Sequence, residues 1–378
     1  MLLEKPVFIP ESSIKKMITP QSTPKSKRIT SIDIVKGIAI IMVVYGHVMQ
    51  GMAHRNLMYM PFHIFSDTFI YSFHMPAFFF ASGLFARLNA NTSSTVLIQK
   101  KGEQLLWPYL LWALISLVTS PFVSQYTSVG SHSQVFKDVI SGIVLGTQSW
   151  FLWTLFFVYV IGILTRKVDR RLLLLISLAL YYMMHFYGSI LPGSANRIFT
   201  MLPYFVLSSR WSDEITRILV LLETNTGKMQ KANRFITGLL LALFLFLSVA
   251  ITINFNIPAL VLLTIKLLQG LTGTFLLILI AASISPSRIG AVLTTVGIAS
   301  LAIFLLHPYF QGLSRLMVSR IAGEHNAMAI VLSVMIQTVA GVWGATIIYS
   351  LTMRYGGRWL FHFPQRNKTA VPALSKAS

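Results

Sequence analysis

The chain has 378 residues, of which 54% are hydrophobic and only 11% are charged, and its mean hydropathy is +0.68. Soluble domains are about a quarter charged, so this composition excludes an ordinary soluble enzyme and indicates an integral membrane protein. The chain has no cysteine, which excludes a thiol nucleophile, a disulfide framework and thiolate metal ligands.

The two ends of the chain are polar. Residues 1–28 contain four prolines and several lysines, and they lack the apolar segment of a signal peptide. We predict a disordered cytoplasmic tail at residues 1–28, a membrane domain at residues 29–353 and a second cytoplasmic tail at residues 354–378.

Continuous apolar runs of roughly 20 residues, each long enough to cross ~30 Å of hydrocarbon, recur between these ends. Because the runs are continuous rather than alternating, they predict helices and not the strands of a barrel. The predicted fold class is an all-α polytopic bundle of about ten transmembrane helices. The spans are placed at residues 30–52, 65–86, 104–123, 149–165, 172–188, 198–209, 235–253, 257–283, 290–310 and 327–352. The sixth span is interrupted by Pro203, and the eighth is long enough to tilt, kink or contain two pieces.

The formal charge of +20 would suit a nucleic-acid partner, but the positions of the charges argue against one. With a cytoplasmic N-terminus, 25 of the 31 Lys and Arg fall on the cytoplasmic side, five fall outside, and Lys266 lies within a span. This asymmetry follows the positive-inside rule and predicts that both termini are cytoplasmic. The positive net charge of the chain is then explained by its membrane topology and not by a nucleic-acid partner. One longer outer connection, residues 124–148, contains the amphipathic piece QVFKDVISGIVLG, which suits a helix at the membrane surface.

The first span contains DIVKGIAIIMVVYGH, residues 33–47. An ionisable group at bilayer depth is costly and marks a functional site by default. Eleven helical residues turn the chain through about three full turns, so Lys36 and His47 share one face, ~16 Å apart along the axis. A basic residue near the cytoplasmic end of the span, Lys36, with a proton-transfer group deeper in the membrane, His47, suits a long anionic ligand such as an acyl-coenzyme A. The alternative is that Lys36 snorkels and His47 bonds a backbone carbonyl.

Two further histidines fall at similar predicted depth. His74 lies in the second span, where Pro76 frees the carbonyl of Ser72. His307 lies near the end of the ninth span and is followed directly by a proline. A single buried histidine is usually structural, but three at one depth favour a common site.

Five segments, taken together and in order, resemble the acyltransferase-3 family of bacterial membrane acyltransferases. The first is DIVKGIAIIMVVYGH, in which Lys36 and His47 match a basic residue, ten residues, then His. The second, FHMPAFFFASG (73–83), resembles the second helix of the branch related to fucose 4-O-acetylases. The others are KKGEQLLWPYL (100–110), SWFLW (149–153) and SLAIFLLHP (300–308). The sixth to eighth spans offer no matching motif, and we expect no counterpart of the C-terminal periplasmic hydrolase-like domain of some relatives.

The resemblance implies an O-acyltransferase in the bacterial cytoplasmic membrane. It would move an acyl group, acetyl from acetyl-CoA, to a hydroxyl of a cell-envelope glycan or glycolipid. His47 would be the catalytic base, and His74 would assist or orient the acceptor. The phosphates of CoA would bind Lys36, Lys100 and Lys101, while Trp150 and His307 would line the acceptor side. Membrane lipid is the expected surrounding, and no metal is expected.

Other interpretations remain open from the sequence. A transporter or flippase for a lipid-linked sugar or a small acid would also use intramembrane His and Lys. Asp67, seven residues before His74, either orients that histidine or is an interfacial aspartate. The string HIFSD (63–67) also occurs in soluble acyltransferases, but two fixed positions match easily by chance. A zinc site on the three histidines is disfavoured, because their spacing gives no local ligand pair.

Overall fold

The computed structural model describes residues 29–86, 92–123, 136–147, 149–187, 191, 193–224, 228–253, 257–321 and 327–364. Within these ranges every regular element is helical and no strand occurs. The predicted all-α fold is therefore confirmed. The tail predicted at residues 1–28 lies outside the described residues, as do residues 365–378 of the second predicted tail.

Thirteen α-helices and one 3₁₀ helix make up the described part of the chain. In chain order they are α1 (Thr30–His54), α2 (Met60–Leu84), α3 (Ser94–Val123), α4 (Phe136–Val144), α5 (Trp150–Leu164), α6 (Arg170–Tyr187), α7 (Ala195–Arg210), α8 (Ser212–Thr224), α9 (Lys228–Thr252), α10 (Ala259–Ile284), α11 (Arg288–Ile298), α12 (Ser300–Ile321) and α13 (Ala327–Arg354), followed by the 3₁₀ helix Gly357–Leu360. Residues 136–144 of the amphipathic piece predicted within residues 124–148 form α4.

Short polar side chains set two of the helix starts. The Asp169 carboxylate accepts the backbone N–H groups of Arg171 and Leu172 at 2.9 and 3.0 Å, where α6 begins. The Ser287 hydroxyl accepts the N–H of Gly290 at 3.0 Å, where α11 begins. Both side chains satisfy N–H groups that the first turn of a helix otherwise leaves without a partner.

Five helices in the described ranges are long and apolar enough to cross a membrane. They are Thr30–His54, Lys231–Thr252, Ala259–Ile284, Ser300–Arg320 and Ala327–Arg354. The predicted eighth span corresponds to one continuous helix, α10. The predicted ninth span, residues 290–310, is not one helix, because α11 ends at Ile298 and α12 begins at Ser300. Gly297 is the penultimate residue of α11, and glycine is a poor helix former.

The first helix, α1, lies at the centre of the bundle. It packs against α2, α10, α11, α12 and α13, and most of its residues are buried. It contributes side chains to two hydrophobic clusters of buried residues. One contains Ala39, Ile40, Val43 and Val44 of α1, and the other contains Ile32, Ile34 and Val35. The position of any polar group on α1 is therefore set by neighbours on several sides.

The N-terminal half of α1 crosses α11 at two glycines. A Cβ atom on Gly297 would collide with the carbonyl oxygen of Asp33, and one on Gly37 would collide with the carbonyl oxygen of Leu293. Both obstacles are backbone atoms and cannot swing away as a flexible side chain can. Glycine is required at both positions because the two backbones approach so closely, as is common where membrane helices pack.

The segment after α13 turns back onto α3. Gly356 adopts φ 85°, a left-handed conformation suited to glycine at the end of a helix. The indole N–H of Trp107 donates to the carbonyl of Trp359 at 2.7 Å, and that of Trp112 donates to Leu360 at 2.9 Å. Phe361 is fully buried and stacks on Trp112. Residues 356–361 therefore pack against the bundle.

We expect Gly297→Ala to destabilise the bundle. Overpacking of this kind costs about 1–3 kcal/mol, because the new methyl group meets a backbone carbonyl at the α1–α11 crossing. The measurement is thermal unfolding of the detergent-purified chain. Gly238→Ala in α9 is the matched control, because a Cβ there meets no atom within 4 Å and alanine is the better helix former. Equal unfolding temperatures for the two variants would contradict the close crossing.

Candidate active site

Two of the predicted site histidines are in direct contact. His307 Nε2 and His47 Nδ1 lie 3.1 Å apart, and the ring centroids are 5.0 Å apart. The other ring nitrogen of His307, Nδ1, lies 2.9 Å from the carbonyl oxygen of Ile303. The structure thus joins α1 and α12 through a pair of imidazoles.

The hydrogen bonds of this pair determine its tautomers. A carbonyl oxygen can only accept, so His307 Nδ1 carries a hydrogen and donates it to Ile303. The Nε2 atom of neutral His307 is then bare and accepts from His47 Nδ1–H. It follows that Nε2 of neutral His47 has no hydrogen. No group in the described part of the chain bonds to that nitrogen, so its lone pair is available to take a proton.

One turn further along α12, Gln311 fixes the same helix pair. Gln311 is buried, and its side-chain amide donates to the carbonyl of Val44 at 2.7 Å. Helix α13 packs closely on this junction at Gly341, where a Cβ would press on Val44 and approach Gln311 and His307. The ring of His47 is therefore held by a bond to its own nitrogen and by packing of the helix that carries it.

On the other side of His47, α2 contributes Tyr71 and His74. The Tyr71 hydroxyl packs against Gly46, where a Cβ would lie 3.1 Å from the oxygen. The Tyr71 ring makes an edge contact with the His74 ring, with centroids 4.8 Å apart. The Tyr71 hydroxyl oxygen is buried and has no hydrogen-bond partner among the described residues. Tyr71 thus places an unused hydrogen-bond donor beside the residue that precedes His47.

The buried ring of His74 is held by its own helix. His74 Nδ1 lies 2.6 Å from the carbonyl oxygen of Ile70, so this nitrogen carries the hydrogen in the neutral ring. Nε2 of His74 is then an acceptor. The site therefore offers two bare imidazole nitrogens, on His47 and His74, and one free hydroxyl donor, on Tyr71.

The three predicted phosphate-binding lysines have different surroundings. Lys36 forms an ion pair with Asp33, with Nζ and Oδ1 2.7 Å apart. Lys101 is half-buried, lies 4.1 Å above the centre of the Tyr159 ring and donates to Gln104 at 3.2 Å. Lys100 is exposed. Lys36 and Lys101 are thus held by contacts within the protein, and Lys100 is open to solvent.

Trp150, at the start of α5, connects to the histidine pair through a row of rings. Trp150 contacts Phe151, Phe151 contacts Phe304, and the Phe304 ring lies 6.5 Å from that of His307. The guanidinium of Arg197 lies 4.5 Å above the Trp150 ring. One face of this indole is thus covered by a cation.

Asp67 does not orient His74, which bonds to its own helix. Instead, the Asp67 carboxylate accepts from the side-chain amide of Gln50 at 3.2 Å. The Asp67 side chain is partly exposed to solvent. This residue therefore belongs to a polar contact between α1 and α2, one turn away from Tyr71.

A sequence model of the acyltransferase-3 family, described as an acyltransferase domain, matches residues 29–353. The chain belongs to the acyltransferase-3 family. This match confirms the predicted family and covers the five segments on which the prediction rested.

Curated relatives share a smaller part of the chain. The Nodulation protein NolL of Sinorhizobium fredii is 32% identical over 142 residues, which cover 35% of this chain and 35% of the relative. The Nodulation protein NolL of Mesorhizobium japonicum is 29% identical over 162 residues, which cover 40% of each chain. The matched part therefore spans well under half the length of these relatives. No solved structure matches the chain.

Two of the five family-like segments meet at the histidine pair, and a third lies beside it. The first segment supplies His47, the last supplies His307, and the second supplies His74 beside Tyr71. The helices that carry the other two segments, α3 and α5, pack against each other, with Lys101 against Tyr159. Within the described residues, no three His, Asp or Glu side chains are grouped as metal ligands.

Sequence reasoning missed three residues of this site: Tyr71, Gln50 and Gln311. Spacing offered a signal for all three. Tyr71 follows Asp67 by four residues, and Gln311 follows His307 by four, so each pair shares a helix face. Gln50 follows His47 by three residues and shares its face in the same way.

Proposed function

We propose that this chain is a membrane O-acyltransferase that moves acetyl from acetyl-CoA to a hydroxyl of a cell-envelope glycan or glycolipid. The observation that carries the proposal is the bare Nε2 of His47, fixed by the bond from His47 Nδ1–H to His307 in a chain that belongs to a family of acyltransferases. The likeness of residues 73–83 to the fucose 4-O-acetylase branch supports a sugar hydroxyl as acceptor.

The reaction begins with proton removal by His47. A sugar hydroxyl is a weak nucleophile near neutral pH, so a positioned base assists its attack. Nε2 of His47 takes the hydroxyl proton while the oxygen bonds to the thioester carbonyl carbon. The tetrahedral intermediate then breaks its carbon–sulfur bond, and the His47 imidazolium returns the proton to the departing thiolate. An ester and free CoA–SH are formed, and His47 is neutral again.

The charge that develops on the thioester oxygen needs a hydrogen-bond donor. Tyr71 is suited to this role, because its buried hydroxyl has no partner among the described residues and packs beside Gly46. His74 cannot donate while its Nδ1–H is bonded to Ile70. Its bare Nε2 instead accepts a hydrogen bond, which suits the orientation of an acceptor hydroxyl.

The donor would enter at the cytoplasmic end of α1. Lys36 and His47 lie on one helix face, ~16 Å apart along the axis, so a phosphate group at Lys36 and a thioester at His47 fit an extended ligand. Lys100 and Lys101 would add charge at the same mouth. Trp150 and His307 would line the acceptor side.

The topology belongs to the same proposal. Ten spans with both termini cytoplasmic, in a bacterial cytoplasmic membrane, would place the basic mouth inside and the other end of α1 outside. A cytoplasmic donor could then serve an acceptor at the outer face. The asymmetry of Lys and Arg along the sequence supports this arrangement.

Acetyl transfer is expected to depend on His47 and on its bond to His307. Purified chain in lipid, given radiolabelled acetyl-CoA and a crude envelope glycan fraction, should form alkali-labile labelled esters. His47→Ala should lower kcat by about 10²–10⁴. His307→Leu should lower kcat because the His47 ring loses its acceptor. His307→Gln should recover part of the loss, because its amide oxygen can accept from Nδ1–H.

Equal labelling by the native chain and His47→Ala would remove His47 from the chemistry. Equal kcat for the two His307 variants would remove the bond between the histidines from the mechanism. A transporter or flippase would be favoured by two results together. The native chain would leave acyl-CoA and glycan unchanged, and it would move a lipid-linked sugar across the membrane.

Lys101 is expected to act through the phosphates of the donor. Lys101→Met should raise the KM for acetyl-CoA about ten- to a hundredfold, as expected for one lost hydrogen bond to a charged group, and should leave kcat nearly unchanged. The KM for S-acetyl-N-acetylcysteamine, a thioester without phosphates, should not change. Lys167→Met is the control, because Lys167 is exposed in the turn after α5. A change in KM for both donors would contradict phosphate binding by Lys101.

A further inference from the structure

A row of polar side chains continues from the active site toward the loop that joins α1 to α2. Gly46 of α1 faces Tyr71 of α2, and Gln50 of α1 bonds to Asp67 of α2. The two helices are therefore antiparallel, and a step of four residues forward on α1 matches a step of four residues back on α2. The same antiparallel register places His54 opposite His63. We call the four residues beyond the active site, His54, Gln50, His63 and Asp67, the outer seam.

Exposure falls steadily along this row. His54, near the loop, is exposed, while Gln50, His63 and Asp67 are partly exposed. At the inner end, His74 and His307 are fully buried. The polar groups thus follow one path from the loop ends of α1 and α2 to the histidine pair.

The outer seam retains unused hydrogen-bonding capacity. His63 Nδ1 is buried and has no partner among the described residues. Asp67 uses one carboxylate oxygen for Gln50, and its other oxygen can accept. The amide oxygen of Gln50 can accept as well. Buried polar groups normally have partners, so the unused His63 nitrogen and the unused Tyr71 hydroxyl, at the two ends of the Gln50–Asp67 contact, indicate a polar ligand.

We propose that the outer seam is the hydroxyl-binding subsite of the acceptor and its route to His47 from the loop end of α1 and α2. The inference rests on the proposed function and specifies its acceptor side. The ligand class is a saccharide that presents at least two hydroxyl groups. One hydroxyl reaches Nε2 of His47, and a second binds Gln50 and Asp67.

The chemistry and spacing of the outer seam suit such a ligand. A sugar hydroxyl both donates and accepts, a carboxylate only accepts, and an amide does both. Gln50 and Asp67 can therefore bind one hydroxyl from two sides. Gln50 lies three residues from His47 on the same helix face, ~4.5 Å along the axis, which is about the width of a pyranose ring.

Kinetics with the envelope glycan fraction test the subsite. Asp67→Asn and Gln50→Met should each raise the KM for the glycan about five- to tenfold. The KM for acetyl-CoA should not change, and kcat should stay within about twofold. In the double variant the effects should be less than multiplicative, because both residues bind one hydroxyl.

The chain offers a matched control for this pair. Gln99 donates to Glu103 at 3.0 Å in the same amide–carboxylate arrangement, but on the exposed surface of α3. Gln99→Met and Glu103→Gln should leave the KM for the glycan unchanged. The proposal is overturned if the outer-seam variants change only the KM for acetyl-CoA, or behave like the Gln99 and Glu103 variants.

A second measurement does not require turnover. Because the chain has no cysteine, Asp67→Cys and His63→Cys each introduce a single thiol. Both thiols should react with a membrane-impermeant methanethiosulfonate reagent added outside spheroplasts, and the glycan fraction should slow the reaction. Val339→Cys is the control, because Val339 is exposed on α13 within an apolar helix suited to face lipid, where such a reagent reacts poorly.

The two measurements separate the two proposals. Absence of acetyl transfer by the native chain would contradict the proposed function. Two results would overturn the outer-seam route. The thiols at positions 63 and 67 could react no faster than the thiol at position 339, or they could react only from the cytoplasmic face in inverted vesicles. Either result can occur without the other.

Discussion

The hydrogen bond between His47 and His307 is the interaction on which the site depends. It joins α1 to α12, and it sets which nitrogen of His47 is bare. Without it the His47 ring could rotate, and either nitrogen could carry the hydrogen. A base must present a lone pair in a fixed direction. The bond from His307 to the Ile303 carbonyl extends this control to the backbone of α12, so the tautomer of His47 is determined by the fold.

The rest of the bundle holds the two helices that carry this pair. Gly37 and Gly297 let α11 approach the backbone of α1, and Gly341 lets α13 approach the His307 junction. Gln311 adds a bond to the Val44 carbonyl. In a membrane, helices associate mainly through close packing and hydrogen bonds between them. Small residues and buried amides are therefore found at the contacts that position His47.

The sequence predicted the helical class, because continuous apolar runs have no other common solution in a bilayer. It also predicted that Lys36 and His47 share a face, since helical geometry alone fixes that relation. It could not predict which helices are neighbours, so the contact of His47 with His307 and the bond of Asp67 to Gln50 were not foreseen. Tyr71 resembled an ordinary apolar aromatic, because the lack of a hydrogen-bond partner is visible only in three dimensions.

The central claim is that His307 holds His47 with a bare Nε2. Nitrogen-15 NMR of the chain labelled at histidine tests it most directly, with the His47 signals assigned by their loss in His47→Ala. The account predicts a protonated Nδ1 and an unprotonated Nε2 for His47 in the native chain, and a mixture of the two tautomers in His307→Leu. A native His47 with a protonated Nε2 and a bare Nδ1 would contradict it.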